Sequence, residues 1–188
     1  MRLFTGLEMP EHVESELDRI VRPWREVAPG LQWSPLVNLH ITTKFIGEWP
    51  EARLTQLVDA LVGSVPKPGG ALRMAVRGVG WFPNPDQPRS LFAAVDATPQ
   101  GLHDLVAGTQ DALAAIRIAR EERKYAPHVT LARVKRPPSA ELSALRQAIA
   151  ESQALDFGVV EAKSFFLYLS QSESRGSIYK KLAEFSFQ

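Results

Sequence analysis

The sequence lacks several features that would define its chemistry at once. It has no cysteine, which excludes disulfide bonds, thiolate nucleophiles and cysteine-based zinc sites. No apolar run approaches the ~18 residues of a membrane-spanning helix, and the first residues do not have the layout of a signal peptide. A composition of 45% hydrophobic and 23% charged residues is ordinary for a globular protein. We therefore expect a soluble, cytoplasmic protein with no membrane partner.

Charge is nearly balanced overall but uneven along the chain. The formal net charge is +1, whereas the stretch from Arg117 to Arg136 has seven basic residues against Glu121 and Glu122, a local excess of +5. Such an excess favours an anionic partner. A solvated loop and helix end would have the same composition, so both interpretations stay open at this point.

Two short stretches with similar sequences contain the most informative residues. The first includes His40 and Thr42, and the second includes His128 and Thr130. Each His-x-Thr lies among apolar, β-branched residues that favour a strand, and residues two apart on a strand point to the same face. Each stretch therefore offers one imidazole and one hydroxyl to a common side.

The separation of the two histidines, 88 residues, recurs elsewhere in the sequence. The same shift aligns Leu3-Phe4 with Leu91-Phe92, and it aligns Pro, Ala and Leu positions between 50 and 57 with those between 138 and 145. A self-match at a fixed period is typical of an internal repeat. We interpret the chain as one domain over residues 1–188 that contains two similar halves, about 1–88 and 89–188.

Hydrophobic periodicity and turn residues predict the elements of each half. The Pro-rich segment 83–88 is the strongest turn signal and marks the join between the halves. Helices interspersed with strands that can pair as hairpins, without a Gly-rich phosphate loop, predict an α+β fold built on antiparallel sheets. The predicted strands are 2–8, the first motif, 72–82, 90–96, 127–134, 160–170 and 178–187, the predicted helices are 10–24, 51–62, 101–119 and 140–152, and 171–177 is a predicted loop.

Two histidines that face one substrate are suited to acid-base catalysis. Histidine titrates near neutrality, so one ring can accept a proton while the other donates one in the same turnover. The hydroxyls of Thr42 and Thr130 can donate to phosphate oxygens, and Arg133 can bind such oxygens through two parallel hydrogen bonds. This chemistry fits a strained phosphodiester that is opened by water, and it needs no metal or other cofactor.

Other interpretations of these residues are less specific. A lone His-x-Thr on a strand is usually structural, and a metal site would need a carboxylate or a second histidine at ligand spacing, which neither motif has. His12 and His103 lie in predicted helices without such neighbours, so we interpret both as surface or packing residues. A phosphate- or RNA-binding module without turnover stays open as a second class of function, although a binder has no need of two matched histidines.

The extended motifs His40-x-Thr42-x-x-Phe45 and His128-x-Thr130-x-x-Arg133 resemble those of the two-histidine (2H) phosphoesterases. They are most similar to those of the RNA 2',3'-cyclic phosphodiesterases once described as 2'-5' RNA ligases. Paired extended motifs at this separation are highly specific. The similarity covers nearly the whole chain and includes Arg2-Leu3-Phe4, Asn38-Leu39, Pro127, Leu167-Tyr168, Arg175-Gly176, Tyr179 and Leu182.

The resemblance implies a bilobal fold with pseudo-twofold symmetry, a central cleft that holds both histidines, helices packed outside and an exchange of elements between the lobes. It implies metal-independent hydrolysis of RNA 2',3'-cyclic phosphate ends to 2'-phosphomonoester ends. Reversible 2'-5' RNA ligation is the alternative within the same family. We expect a monomer that binds RNA with a 2',3'-cyclic phosphate terminus, or related nucleotides, and that needs no cofactor.

The resemblance also implies a role for each motif residue. His40 would be the general acid that protonates the O3' leaving group, and His128 would be the general base that activates water. The residues expected to bind the substrate are Thr42, Thr130 and Arg133 at the phosphate and Phe45, which would stack on the terminal base.

Two details of the motifs do not follow from a regular strand. Phe45 and Arg133 each lie five residues after their histidine, and an odd offset points to the opposite face. We expect the strand to bulge or bend after the threonine, or to end there, which Gly47 would make easy in the first half. Thr43 and Lys44 are also more polar than the apolar residues expected beside the first motif.

Overall fold

A computed structural model of the protein describes residues 1–64, 69–96, 99–135, 139–152, 155–173 and 176–187. Within these ranges the chain forms four α-helices and nine strands. None of these helices combines the length and the apolar character that crossing a membrane would require. The strands are β1 (Arg2–Glu8), β2 (Gln32–Trp33), β3 (His40–Glu48), β4 (Leu72–Phe82), β5 (Ser90–Val95), β6 (His128–Arg133), β7 (Asp156–Ala162), β8 (Ser164–Glu173) and β9 (Gly176–Ser186), and the helices are α1 (Glu11–Val27), α2 (Leu54–Ser64), α3 (Gln100–Ala115) and α4 (Ser139–Glu151).

Antiparallel pairing joins the strands into one sheet of order β7-β4-β5-β6-β3-β1-β8-β9. The short strand β2 lies outside this order and pairs with the last two residues of β6. The order divides into two four-stranded lobes, β7-β4-β5-β6 and β3-β1-β8-β9. The lobes meet where Ile41 of β3 lies opposite Val129 of β6. The predicted α+β fold, with antiparallel strands in two lobes, is confirmed.

Helices cover the lobes in pairs. Helix α1 starts directly after Pro10 and buries a stripe at helical spacing, Val13, Leu17, Val21 and Trp24, as expected for an amphipathic helix on a core. It contacts α4 and β7, whereas α2 and α3 contact each other and lie against β9 and β3 respectively. The helices are therefore packed outside the sheet, as the resemblance implied.

Strands of the two sequence halves are exchanged between the lobes. Strand β4 belongs to the first half of the sequence but pairs with β5 and β7 of the second half. Strand β8 belongs to the second half but pairs with β1. Each lobe is thus built from both halves. The internal repeat of two similar halves, inferred from the 88-residue shift, stays a prediction.

Three boundaries predicted from the sequence are wrong. The single strand 160–170 is two strands, because the chain bends at Lys163 between β7 and β8; no Gly or Pro there signals the bend. The predicted loop 171–177 is mostly strand, since β8 continues to Glu173, which lies opposite Gly176 of β9. Helix α3 ends at Ala115 rather than at 119, and Arg117 adopts a left-handed φ of 70° directly beyond it.

Candidate active site

The two His-x-Thr stretches lie side by side where the lobes meet. Strands β3 and β6 begin at His40 and His128, and the pairing of Ile41 with Val129 brings them together. In both strands the histidine and the threonine are part-buried, while the residue between them is buried. A cleft of about 220 Å³ opens on the histidine side. All six residues predicted from the motifs line it: His40, Thr42, Phe45, His128, Thr130 and Arg133.

Two β-bulges bring Phe45 and Arg133 to the cleft from their odd positions. In the described pairing of β1 with β3, Thr43 has no partner, and in that of β5 with β6, Leu131 has none. An extra residue of this kind shifts the alternation of faces by one. The two strands then have the same order of part-buried, buried and exposed residues from the histidine to the fifth residue after it. The bulge expected from the odd offset is therefore present in both motifs.

The polar residues beside the first motif have partners in the interior. Thr43 is buried and its hydroxyl lies 2.7 Å from the hydroxyl of Thr5. Lys44 is only 3% exposed, and its Nζ donates to the carbonyl oxygen of Ala119 at 2.8 Å and to the carboxylate of Glu121 at 3.1 Å. These contacts join β3 to the basic segment that precedes the second motif.

The His40 ring is held at both nitrogens. Nδ1 lies 2.6 Å from the carbonyl oxygen of Asn38, and Nε2 lies 2.9 Å from the hydroxyl of Thr42. A carbonyl oxygen can only accept, so Nδ1 carries the hydrogen in this bond. In the neutral ring Nε2 is then the acceptor and the Thr42 hydroxyl donates to it.

The environment of His40 disfavours the charged imidazolium. Burial lowers the pKa of His40 from 6.5 to about 4, and the charges of His128 and Arg133 act in the same direction. The hydrogen bond to the Asn38 carbonyl opposes them by raising the pKa. The ring is therefore neutral in the free protein at pH 7.

His128 is oriented in the same way on the other side of the cleft. Its Nδ1 lies 2.8 Å from the carbonyl oxygen of Ala126, which again places the hydrogen on Nδ1 and leaves a lone pair on Nε2. Upstream of it, the hydroxyl of Tyr125 donates to the carbonyl oxygen of Thr42 at 3.0 Å. Burial raises the pKa of the Tyr125 phenol above its ordinary value, so the group stays a donor.

Aromatic rings support both histidines, and the motifs did not identify these rings as site residues. The Phe4 ring centroid is 4.7 Å from that of His40, and Tyr179 meets His40 edge-on at 5.2 Å. Phe82 and Phe92 lie 5.0 and 5.5 Å from His128 in similar edge-on contacts. The 88-residue shift aligns Phe4 with Phe92, and Phe4 and Tyr179 belong to the extended resemblance, so signals for these rings were present but did not indicate contact with the histidines.

The cleft also has polar and aromatic lining that the motifs did not predict. Arg2 and Trp33 line it together with Phe45 and Arg133. The Trp33 ring is fixed because its Nε1 donates to the carbonyl oxygen of Ala28 at 2.9 Å. The residues that line the cleft beside the histidines therefore include two arginines and four aromatic residues, Phe4, Trp33, Phe45 and Tyr179.

Two other charged residues of the basic stretch form ion pairs away from the cleft. Arg120 pairs with Asp111 on α3, and Glu121 pairs with Lys44. Among the described residues of this stretch, Arg133 is the cation that lines the cleft; Arg136, like Arg175 of the extended resemblance, lies outside the described residues. No group of three or more His, Asp or Glu side chains within the described ranges could hold a metal ion. Metal independence itself stays a prediction.

Two strands that each present an imidazole and a hydroxyl to one cleft, on a bilobal antiparallel fold, define a phosphoesterase of the two-histidine class. Comparison with protein families agrees, because the model of the 2'-5' RNA ligase superfamily matches residues 10–168. The chain belongs to this superfamily, as its paired extended motifs indicated.

Full-length relatives share this match. The RNA 2',3'-cyclic phosphodiesterase of Thermus thermophilus is 32% identical over the whole of this chain and 91% of its own length. The protein of the same name from Methanocaldococcus jannaschii is 28% identical over 98% of this chain and 99% of its own. The similarity therefore extends well beyond the two motifs.

Solved structures have the same fold. The crystal structure of TT0787 from Thermus thermophilus superposes with a TM-score of 0.76 at 30% identity, covering 100% of this chain and 98% of that one. E. coli LigT in complex with 3'-AMP superposes with a TM-score of 0.75 over 99% of this chain and 97% of its own, although only 18% of residues are identical. The second likeness concerns the fold alone.

Proposed function

We propose that the protein hydrolyses RNA 2',3'-cyclic phosphate ends to 2'-phosphomonoester ends, without a metal, by paired histidine acid-base catalysis. The observation that carries the proposal is the convergence of His40 and His128 on one cleft, each with its threonine and with Arg133 beside them. The name shared by the relatives from Thermus and Methanocaldococcus supports the same reaction.

The reaction needs one proton acceptor and one proton donor in line with the phosphorus. Nε2 of His128 takes a proton from water, and the water oxygen attacks the phosphorus. The bond from phosphorus to O3' breaks as Nε2 of His40 donates a proton to that oxygen. The product has a free 3'-hydroxyl and a 2'-phosphomonoester, so all atoms and protons balance.

The two histidines, both with a hydrogen on Nδ1, are not equally prepared for these roles in the free protein. His128 with its hydrogen on Nδ1 has the Nε2 lone pair that a general base requires. His40 must instead be protonated on Nε2, and burial disfavours that form by lowering its pKa to about 4. A bound phosphate anion favours the imidazolium, because an opposite charge within hydrogen-bonding distance raises the pKa of a base. Substrate binding therefore converts His40 into the acid.

The other cleft residues bind the anion and the nucleoside. The Thr42 and Thr130 hydroxyls donate to non-bridging oxygens, and the Arg133 guanidinium neutralises charge that builds on them during attack. Phe45, which is 58% exposed, offers a ring face for the terminal base. E. coli LigT, a protein of the same fold, forms crystal structures with 3'-AMP, ATP and phosphate, which contain the phosphate and nucleoside groups of the proposed substrate.

The decisive experiment is turnover of an RNA oligonucleotide with a 2',3'-cyclic phosphate end in the presence of excess EDTA. We expect conversion to the 2'-phosphate, identified by 31P NMR, and no conversion by the His40→Ala/His128→Ala double variant. Loss of turnover on chelation, with recovery on adding zinc or manganese, would contradict the metal-free proposal.

Two alternatives give different results in the same reaction. A non-catalytic RNA-binding module would bind the oligonucleotide without converting it, so binding is measured in parallel by fluorescence anisotropy. A 2'-5' ligase would join the cyclic phosphate end to an added RNA with a 5'-hydroxyl. If joined product formed faster than 2'-phosphate ends at micromolar RNA, ligation would replace hydrolysis as the main activity.

A further inference from the structure

The carbonyl oxygen that orients His40 belongs to a residue whose own side chain is tied to a distant strand. Asn38 is 8% exposed and ends a short 3₁₀ turn that leads into β3. Its Nδ2 donates to the carbonyl oxygen of Ser177 at 2.5 Å, and its Oδ1 accepts from the backbone N–H of Tyr179 at 3.3 Å. Both partners are on β9, so the amide of Asn38 is bonded at each end to one strand.

Strand β9 thus contacts the His40 ring directly and is also linked to it through Asn38. Tyr179 touches the ring directly through its edge-on aromatic contact. Through its backbone N–H the same residue bonds to the Asn38 side chain, and the Asn38 carbonyl bonds to Nδ1 of His40. Both contacts act on the orientation of the ring.

The second motif has no such link among the described residues. Its orienting carbonyl belongs to Ala126, and an alanine has no polar side chain that could be anchored to another strand. The two histidines are otherwise held in the same way. The difference therefore distinguishes His40, the proposed acid, from His128, the proposed base.

We infer that Asn38 is a positioning residue that fixes the tautomer and orientation of His40 by holding its own carbonyl in place through β9. The inference rests on the proposed function, in which Nε2 of His40 must face the leaving oxygen. A ring with the hydrogen on Nε2 and a lone pair on Nδ1 would set that lone pair against the carbonyl lone pairs, so a fixed carbonyl selects the Nδ1–H form. If the carbonyl can turn away, the ring is free to rotate and to exchange tautomers.

The test combines ring NMR with kinetics. In wild-type protein labelled with 15N-histidine, long-range 1H–15N spectra should show His40 as the Nδ1–H tautomer. In Asn38→Ala we expect a mixture of tautomers at His40, no change at His128, and a kcat at least tenfold lower with KM within threefold. Val37→Ala is the matched control, because Val37 is in the same 3₁₀ turn but is 81% exposed; it should leave both readouts unchanged.

Each outcome decides the inference separately from the proposed function. An unchanged tautomer in Asn38→Ala, or a kcat within twofold of Val37→Ala, would overturn the positioning role even if the wild type is active. If wild-type protein has no turnover, the proposed function fails, and the NMR spectra alone decide whether Asn38 sets the tautomer. Asn38→Ser, whose hydroxyl is too short to bridge to β9, replaces Asn38→Ala if that variant does not fold, and the same results are expected.

Discussion

The ammonium group of Lys44, almost completely buried, lies 3.1 Å from the half-exposed carboxylate of Glu121. Removing one partner of such a pair leaves a charge without compensation, whereas replacing the cation by an apolar side chain of similar length removes the cost of burying it. Lys44→Met should therefore keep the free energy of unfolding within about 1 kcal/mol of wild type or raise it. Ala119, whose carbonyl oxygen loses the bond to Lys44, is an exposed residue, and we expect water to replace the ammonium there.

Glu121→Ala is the matched variant, and it should lower the free energy of unfolding by about 1 kcal/mol, a modest loss because water screens its carboxylate. Urea denaturation of both variants measures the two values. A larger loss in Lys44→Met than in Glu121→Ala would show that the ion pair stabilises the fold by itself.

Removal of either histidine should abolish turnover. General acid or base catalysis contributes about 10²- to 10⁴-fold to a rate, so His40→Ala and His128→Ala should each lower kcat by at least about 100-fold. Circular dichroism checks that both variants are folded, and His12→Ala, on the exposed side of α1, should keep full activity. A variant that retained about a tenth of the rate would have lost only ~1.4 kcal/mol, too little for the assigned role.

The pH dependence of turnover should be bell-shaped, and its alkaline limb should depend on the kinetic parameter. The acid must be protonated, so activity is lost as pH rises through the pKa of His40. Burial lowers that pKa in the free protein, whose state governs kcat/KM, whereas the bound phosphate raises it in the complex, whose state governs kcat. We expect the alkaline limb of kcat at a higher pH than that of kcat/KM. Coincident limbs would contradict the proposal that bound phosphate raises the pKa of His40.

Stability should also depend on pH through His40. Its pKa is lowered from 6.5 to about 4 on folding, so between these values the unfolded chain binds more protons than the native protein. The contribution is complete above pH 6.5 and is lost as pH falls toward 4, by up to about 3 kcal/mol. The measurement is the difference in unfolding free energy between wild type and His40→Ala from pH 4 to 7. A difference that stays constant from pH 4 to 7 would contradict the lowered pKa of His40.

Arg133 and Phe45 occupy equivalent positions in the two motifs but should affect different kinetic parameters. The guanidinium meets charge that builds in the transition state, so Arg133→Lys, which loses the planar fork, should mainly lower kcat. Phe45 would contact a base that does not change during the reaction, so Phe45→Ala should raise KM by an amount equivalent to ~1 to 3 kcal/mol.

A cyclic phosphate diester of ribose without a base provides the control for this pair. Turnover of this substrate should be insensitive to Phe45→Ala and still sensitive to Arg133→Lys. Equal sensitivity to both changes would identify Phe45 as a packing residue rather than a contact for the base.

The prediction of helices and strands was best where the hydrophobic periodicity and the turn-forming residues indicated the same boundaries. Strands 2–8 and 72–82 have the predicted boundaries, and each begins after a clear break or at the start of the chain. The bend at Lys163 was missed because the alternation continues through Ala162 and Ser164. The segment 171–177, where β8 ends and β9 begins, was interpreted as a loop because Ser and Gly are common in loops, although pairing between the two strands overrides that preference.

The site could be predicted as a set of residues but not as a geometry. The motifs identified six of the residues that line the cleft. They could not determine which residue forms each bulge, since a bulge depends on the register with β1 or β5 and not on β3 or β6 alone. The aromatic support of His40 by Phe4 and Tyr179 was out of reach for the same reason, because it joins strands that are far apart in sequence.

The exchange of strands between the lobes determines the order in which the chain can fold during synthesis. The lobe that contains β1 and β3 also needs β8 and β9, which leave the ribosome after all the other described strands. His40 therefore cannot acquire its final surroundings until translation of the described strands is complete, and β1 must wait with an unpaired edge. Pairing across such long sequence separations is intrinsically slow. The nascent chain is therefore prone to aggregation after its first half has been made and before β8 and β9 are available.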